Sequence, residues 1–125
     1  MKKIITSKNA PNPIGPYSQA VLKGNMLFVS GQIAINPATG NLMTDNIKDE
    51  AKQVMENLKG ILTEAGFDFN HICKSTIFMK DLNDFASVNE IYGSYFTSDY
   101  PARETVQVSK LPLNVNVEIS VIAVK

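Results

Sequence analysis

Cysteine and histidine are scarce in this chain, which holds one of each, Cys73 and His71, among 125 residues. One cysteine excludes an internal disulfide, and the two residues together cannot build a Cys/His zinc site within one chain. A Ser-His-Asp triad would have to run through His71, which lies between a helix end and a strand, where a surface or capping role is expected. Cys73 alternates with Ser75, Ile77 and Met79, so it reads as a small buried hydrophobe rather than a nucleophile. Charge of one sign is not in excess either: Lys+Arg and Asp+Glu number 12 each. That balance gives no electrostatic basis for binding nucleic acid or an anionic membrane. No apolar run approaches the roughly 18 residues of a membrane span. The lysine-bearing start, Met1 to Gln19, lacks the apolar stretch of a signal peptide, so a cytoplasmic location is expected. Walker and GxGxxG words are missing, which leaves nucleotide cofactors without support.

Hydrophobic residues make up 44% of the chain, ordinary for one globular domain with a single core, expected to span residues 1–125. Residues 2–6 form a candidate first strand, and the prolines and glycine of residues 9–16 predict a rigid loop. Two strand-like runs follow, Ser18 to Gly24 and Asn25 to Ile35, with a turn at Gly24-Asn25 and another at Asn36 to Asn41. From about Asn46 to Ala65 the apolar period becomes helical: Ile47, Ala51, Val54, Leu58, Ile61, Leu62 and Ala65 form one stripe. Asp45 or Asn46 can cap its start, and Gly66 suits a left-handed residue past its end. His71 to Lys80 alternates as a strand. A second helix is predicted over about 84–97, with Phe85, Val88, Ile91, Tyr92, Tyr95 and Phe96 inward. Strands near 103–109 and 115–124 complete the order β-β-β-α-β-α-β-β, an α+β domain. Two helices cover one face of such a sheet. Yet Val117, Ile119, Val121 and Ala123 point one way along the last strand and Ile122 and Val124 the other. A strand apolar on both sides is normally covered on both, so self-association through the open face is expected.

Two charges stand out in this last quarter. Arg103 opens one strand-like run, and Glu118 sits between Val117 and Ile119 in the next. Burying an unpaired charge costs several kcal/mol, so such groups pair with each other or serve a ligand. A symmetric hairpin of these two runs would place Glu118 opposite Val106, off the face of Arg103; a one-residue shift of register reverses that.

Several words in order resemble the RidA/YjgF family: Asn9-Ala10-Pro11, Ile14-Gly15-Pro16-Tyr17-Ser18-Gln19, Ser30-Gly31-Gln32, Lys80-Asp81-Leu82-Asn83-Asp84-Phe85, Pro101-Ala102-Arg103, and Leu111-Pro112 with Val117-Glu118-Ile119. The resemblance runs from about residue 3 to residue 124. It implies a chorismate-mutase-like fold, two helices on one face of a mixed sheet, assembled as a homotrimeric barrel with pockets in the clefts between subunits. It implies hydrolysis of reactive enamines and imines such as 2-iminobutanoate and 2-iminopropanoate to 2-keto acids and ammonia, with no metal or organic cofactor. By position, Arg103 matches the carboxylate-binding arginine and Glu118 the acid that orients water, while Tyr17, Ser30, Gly31 and Asn89 match pocket positions. Many members carry Cys where this chain has Thr105. Thr105 keeps a backbone N–H that can donate to the ligand but removes thiol chemistry. Glu104 should alternate to the opposite side of its strand.

These residue types suit that chemistry. A guanidinium fork matches a carboxylate in two parallel hydrogen bonds, so Arg103 would fix a 2-imino acid together with its reactive carbon. Glu118 could accept the proton of an attacking water, while Tyr17 and Ser30 could bond the amine. Plainer roles stay open: Tyr17 as a packing aromatic, Ser30-Gly31 as a β-bulge, Asn89 as a polar helix residue, and Arg103 with Glu118 as a salt bridge at a subunit contact. The alternative function is a 2-keto-acid-binding regulator, in keeping with the purine regulation linked to the family, for which Glu118 would be dispensable. An endoribonuclease, also claimed for the family, is disfavoured by zero net charge and a single histidine.

Overall fold

The computed structural model describes all 125 residues. Six strands, β1 (Lys3–Ile5), β2 (Ala20–Lys23), β3 (Met26–Gln32), β4 (Ile72–Met79), β5 (Ala102–Gln107) and β6 (Val117–Val124), form one mixed sheet in the order β1-β2-β3-β6-β4-β5. Helices α1 (Ile47–Glu64) and α2 (Phe85–Gly93) cover one face of it. The element order and the α+β class are those the sequence predicts. No helix is long and apolar enough to cross a membrane.

Local chemistry accounts for the elements. Gly24, at φ 59°, turns the two-residue link between β2 and β3. Asn46 accepts from the Asp49 N–H and caps α1, and Gly66 leaves the helix at φ 78°. The α1 stripe of Val54, Met55, Leu58, Ile61 and Leu62 is buried against Leu27, Ile77, Met79, Ile119 and Val121 of the sheet. Glu50, Asn57 and Gln19 are polar yet buried, and each ties a loop to the core. The Glu50 carboxyl accepts from both nitrogens of Asn116 at 2.7 Å and from the Val117 N–H at 3.2 Å. Asn57 donates to the carbonyls of Ile33 and Ile35. Gln19 accepts from the Ser7 N–H and donates to carbonyls of Ser7, Ala10 and Pro11, which fixes the proline-rich loop.

Four local expectations need correction. The second helix ends at Gly93 rather than near 97, because i→i+3 bonds from Tyr95 to Tyr92 and Phe96 to Gly93 tighten the chain and fold Phe96 into the core. Cys73 is exposed, not buried: the β4–β6 register slips between Ile72 and Lys74, so the alternation that buries Ser75, Ile77 and Met79 does not reach it. The first three strands are each shorter than the runs that predict them. The last two strands form no hairpin at all, since β4 lies between them, parallel to β5 and antiparallel to β6. His71 meets its expectation, accepting from the Asp68 N–H at 3.0 Å in a capping box.

Candidate functional site

Cross-strand neighbours share a face of a sheet. Arg103 pairs in register with Ser75, and Ser75 with Val121, both buried on the helix side. Glu118 pairs with Phe78, and Phe78 with Val106, on the open side. Arg103 and Glu118 of one chain therefore point away from each other through the sheet. Neither belongs to the chain's two lysine–carboxylate pairs, which join Lys48 to Glu90 and Lys74 to Glu104, nor to the contact between His71 and Asp68. A salt bridge between the two within one chain is ruled out by this geometry.

Each charge heads its own cavity. Arg103 lines one of about 360 Å³ with Asn89, Tyr92, Gly93, Tyr100 and Pro101. Helical spacing brings Asn89 there, four residues after Phe85 and three before Tyr92 on one stripe of α2. The Arg103 guanidinium lies over the rings of Tyr92 and Phe85. Glu118 lines a second cavity of about 370 Å³ with Ile14, Tyr17, Ser30, Gly31, Ile33 and Pro112. Burial alone raises its carboxyl above the ordinary value of 4.5, since no hydrogen bond or cation offsets it.

The Glu118 cavity is shaped by backbone irregularities. Val29 pairs with Val121 and Gln32 with Ile119, so Ser30 and Gly31 together oppose one residue of β6: the bulge and the pocket are the same feature. A Cβ on Gly31 would stand 2.5 Å from Glu118 Oε2 and 3.0 Å from its Cγ, so only glycine lets the glutamate lie across β3. Ser30 Oγ donates to the Ser18 carbonyl at 2.6 Å, which joins β3 to the segment carrying Tyr17. The Tyr17 hydroxyl accepts from the Ile14 N–H at 3.3 Å, and its ring is half exposed. On the far side, Leu113 and Asn114 both hold positive φ, at 53° and 55°, next to Pro112. Glu50 pins Asn116 and Val117 shortly after them, and so fixes the start of β6 just before Glu118.

Thr105 falls outside both cavity linings. Its Oγ1 is buried without a partner. The Val108 N–H bonds the Met79 carbonyl on β4, so by alternation the N–H groups of Arg103 and Thr105 turn to the free edge of β5. Glu104 alternates to the open face, where the Thr76 hydroxyl and then Lys74 hold its carboxyl below the usual range. Thus the structure gathers Tyr17, Ser30, Gly31 and Glu118 around one cavity and Asn89 and Arg103 around another. Reasoning from residues missed Tyr92 as a cavity wall and Glu50 as an anchor. Both were signalled by helical spacing, Tyr92 seven residues from Phe85 and Glu50 three from Ile47.

With this geometry in view, comparison with known proteins is informative. A family model described as endoribonuclease L-PSP matches residues 7–125. The human 2-iminobutanoate/2-iminopropanoate deaminase is 43% identical over all of this chain and 91% of its own length. A solved Yersinia pestis protein of the conserved Rid family superposes with a TM-score of 0.97 at 46% identity, covering both chains fully. Escherichia coli TdcF, solved with bound serine, superposes with a TM-score of 0.95 at 45% identity over 98% of each chain.

Proposed function

Because the chain belongs to the RidA/YjgF family, we propose that it hydrolyses small 2-imino acids, such as 2-iminobutanoate and 2-iminopropanoate, to 2-keto acids and ammonia. The observation that carries this reading is the pair of unpartnered charges on opposite faces of one sheet. Such a chain holds both halves of a site but cannot close them on each other. A neighbouring copy can: a closed ring of three, each Arg103 cavity set against the next copy's Glu118 cavity, joins the halves and covers the open face. Phe28 and Met26, exposed on that face beside Ile122 and Val124, supply apolar area for the contact.

In the joined cleft, Arg103 takes the substrate carboxylate in two parallel hydrogen bonds, with Asn89 and the Thr105 backbone N–H beside it. The C=N carbon then lies toward Glu118 of the neighbour. Water adds to that carbon, its oxygen forming the new C–O bond while its proton passes to the Glu118 carboxylate. The C=N electron pair moves to nitrogen, which an iminium substrate brings already protonated. The protonated Glu118 returns a proton to the amino group of the resulting carbinolamine. The C–N bond breaks, ammonia leaves, and the hydroxyl proton passes by way of the Glu118 carboxylate to the departing ammonia, leaving the 2-keto acid and ammonium. Tyr17 and Ser30 offer hydrogen bonds to the amino group along the way. No step calls for a metal or an organic cofactor.

Glu118→Ala separates this enzyme from a 2-keto-acid-binding regulator. We expect imine hydrolysis to fall roughly 100-fold or more while affinity for 2-ketobutyrate is kept. Turnover undiminished in that variant would take the water-activating role from Glu118, and wild-type protein that binds 2-ketobutyrate without hydrolysing the imine would support the regulatory role instead. RNA cleavage, suggested by the family description, is less favoured, since net charge is zero and the one histidine caps a turn outside both cavities.

A further inference from the structure

Arg103 is the chain's single arginine, and the groups that hold it are rings rather than carboxylates. Its guanidinium carbon stands 5.0 Å from the Tyr92 ring centroid and 5.6 Å from that of Phe85. Tyr92 is buried, and its hydroxyl donates to Ser75 Oγ at 2.8 Å. Burial, the largest influence, holds that phenol above its ordinary pKa, so it stays a donor. Ser75 is fully buried on β4 and is the register partner of Arg103 across the β4–β5 ladder. The Tyr92 ring thus extends from the guanidinium back to the residue beside Arg103 in the sheet, and it is fastened there.

The chemistry of the two kinds of support differs. A carboxylate would occupy two N–H donors and cancel the charge. A π face attracts the cation through its quadrupole and accepts nothing from the donor edge. A guanidinium so held keeps its full charge and a free fork. We propose that Tyr92, tethered to Ser75 and assisted by Phe85, is a positioning residue that fixes the plane of the Arg103 guanidinium for the carboxylate of a 2-imino or 2-keto acid. The proposal rests on the reading of Arg103 as the carboxylate site.

Titration calorimetry with 2-ketobutyrate, together with steady-state kinetics on the assembled protein, tests both levels. Arg103→Ala should abolish 2-ketobutyrate binding; retained binding there overturns the carboxylate reading and this proposal with it. Given that loss, Tyr92→Leu should weaken binding roughly tenfold and raise KM in step, with kcat within about twofold. Tyr92→Phe, which keeps the ring and loses the tether, should weaken binding about threefold, and Ser75→Ala should match it. In an Arg103→Lys background Tyr92→Phe should add nothing, because an ammonium has no plane to fix. Wild-type affinity in Tyr92→Phe, or a fall in kcat with KM unmoved, overturns the positioning role while leaving the Arg103 site standing. If Tyr92→Leu does not fold, Tyr92→Phe and Ser75→Ala decide alone.

Discussion

A carboxyl placed among Phe78, Ile14 and Ile33 gives up hydration without gaining a partner, and Glu118 is such a group. Its pKa rises, and two consequences follow with opposite signs. In the proposed hydrolysis water activation requires the carboxylate, so kcat/KM should climb with pH along an acid limb set by Glu118. Glu118→Gln should lose that limb and about 100-fold or more of kcat/KM. Stability runs the other way. Folding favours the protonated form, so the penalty is complete above the folded pKa and vanishes below the unfolded one. Wild type should therefore gain on Glu118→Gln as pH falls through that window. A limb that persists in Glu118→Gln would assign the titration to another group. Residue identity was legible in the sequence, where Arg103 and Glu118 were conspicuous as charges in apolar runs. Their facing was not, because it depends on which strand lies between them.

At the scale of elements, what the sequence discloses depends on how local the cause is. The α1 stripe, its Asn46 cap and its Gly66 exit are decided within a few residues, and all are where the pattern puts them. Strand order is decided by pairings across the whole chain, so β4 entering between β5 and β6 had no local signal. Bulges behave alike: one extra residue at Ser30-Gly31 builds the cavity, and one at Cys73 undoes the expected burial. Glu50 shows how a long-range tie serves the site. It is wholly buried on α1 and receives three hydrogen bonds from Asn116 and Val117, directly before Glu118. Glu50→Ala would strand buried donors and loosen the start of β6. We expect a loss of about 3 kcal/mol in urea unfolding. A change below about 0.5 kcal/mol, the range of ordinary surface substitutions, would show that the loop holds without it.

For the molecule as a whole, the chain carries its Arg103 and Glu118 cavities on opposite faces and leaves the apolar residues of one sheet face bare. In the proposed assembly one head-to-tail contact repeated around a ring would answer both, and would give one complete site per subunit. Mixed assemblies of Arg103→Ala and Glu118→Ala protomers test this most directly. Each variant alone should be inactive, since every cleft lacks one group. After equal amounts are dissociated and reassembled together, about a quarter of the clefts should combine an intact Arg103 with a neighbour's intact Glu118. Imine hydrolysis should return to about that fraction of wild type. Activity no higher than the sum of the two separate variants would contradict a site shared between neighbouring chains.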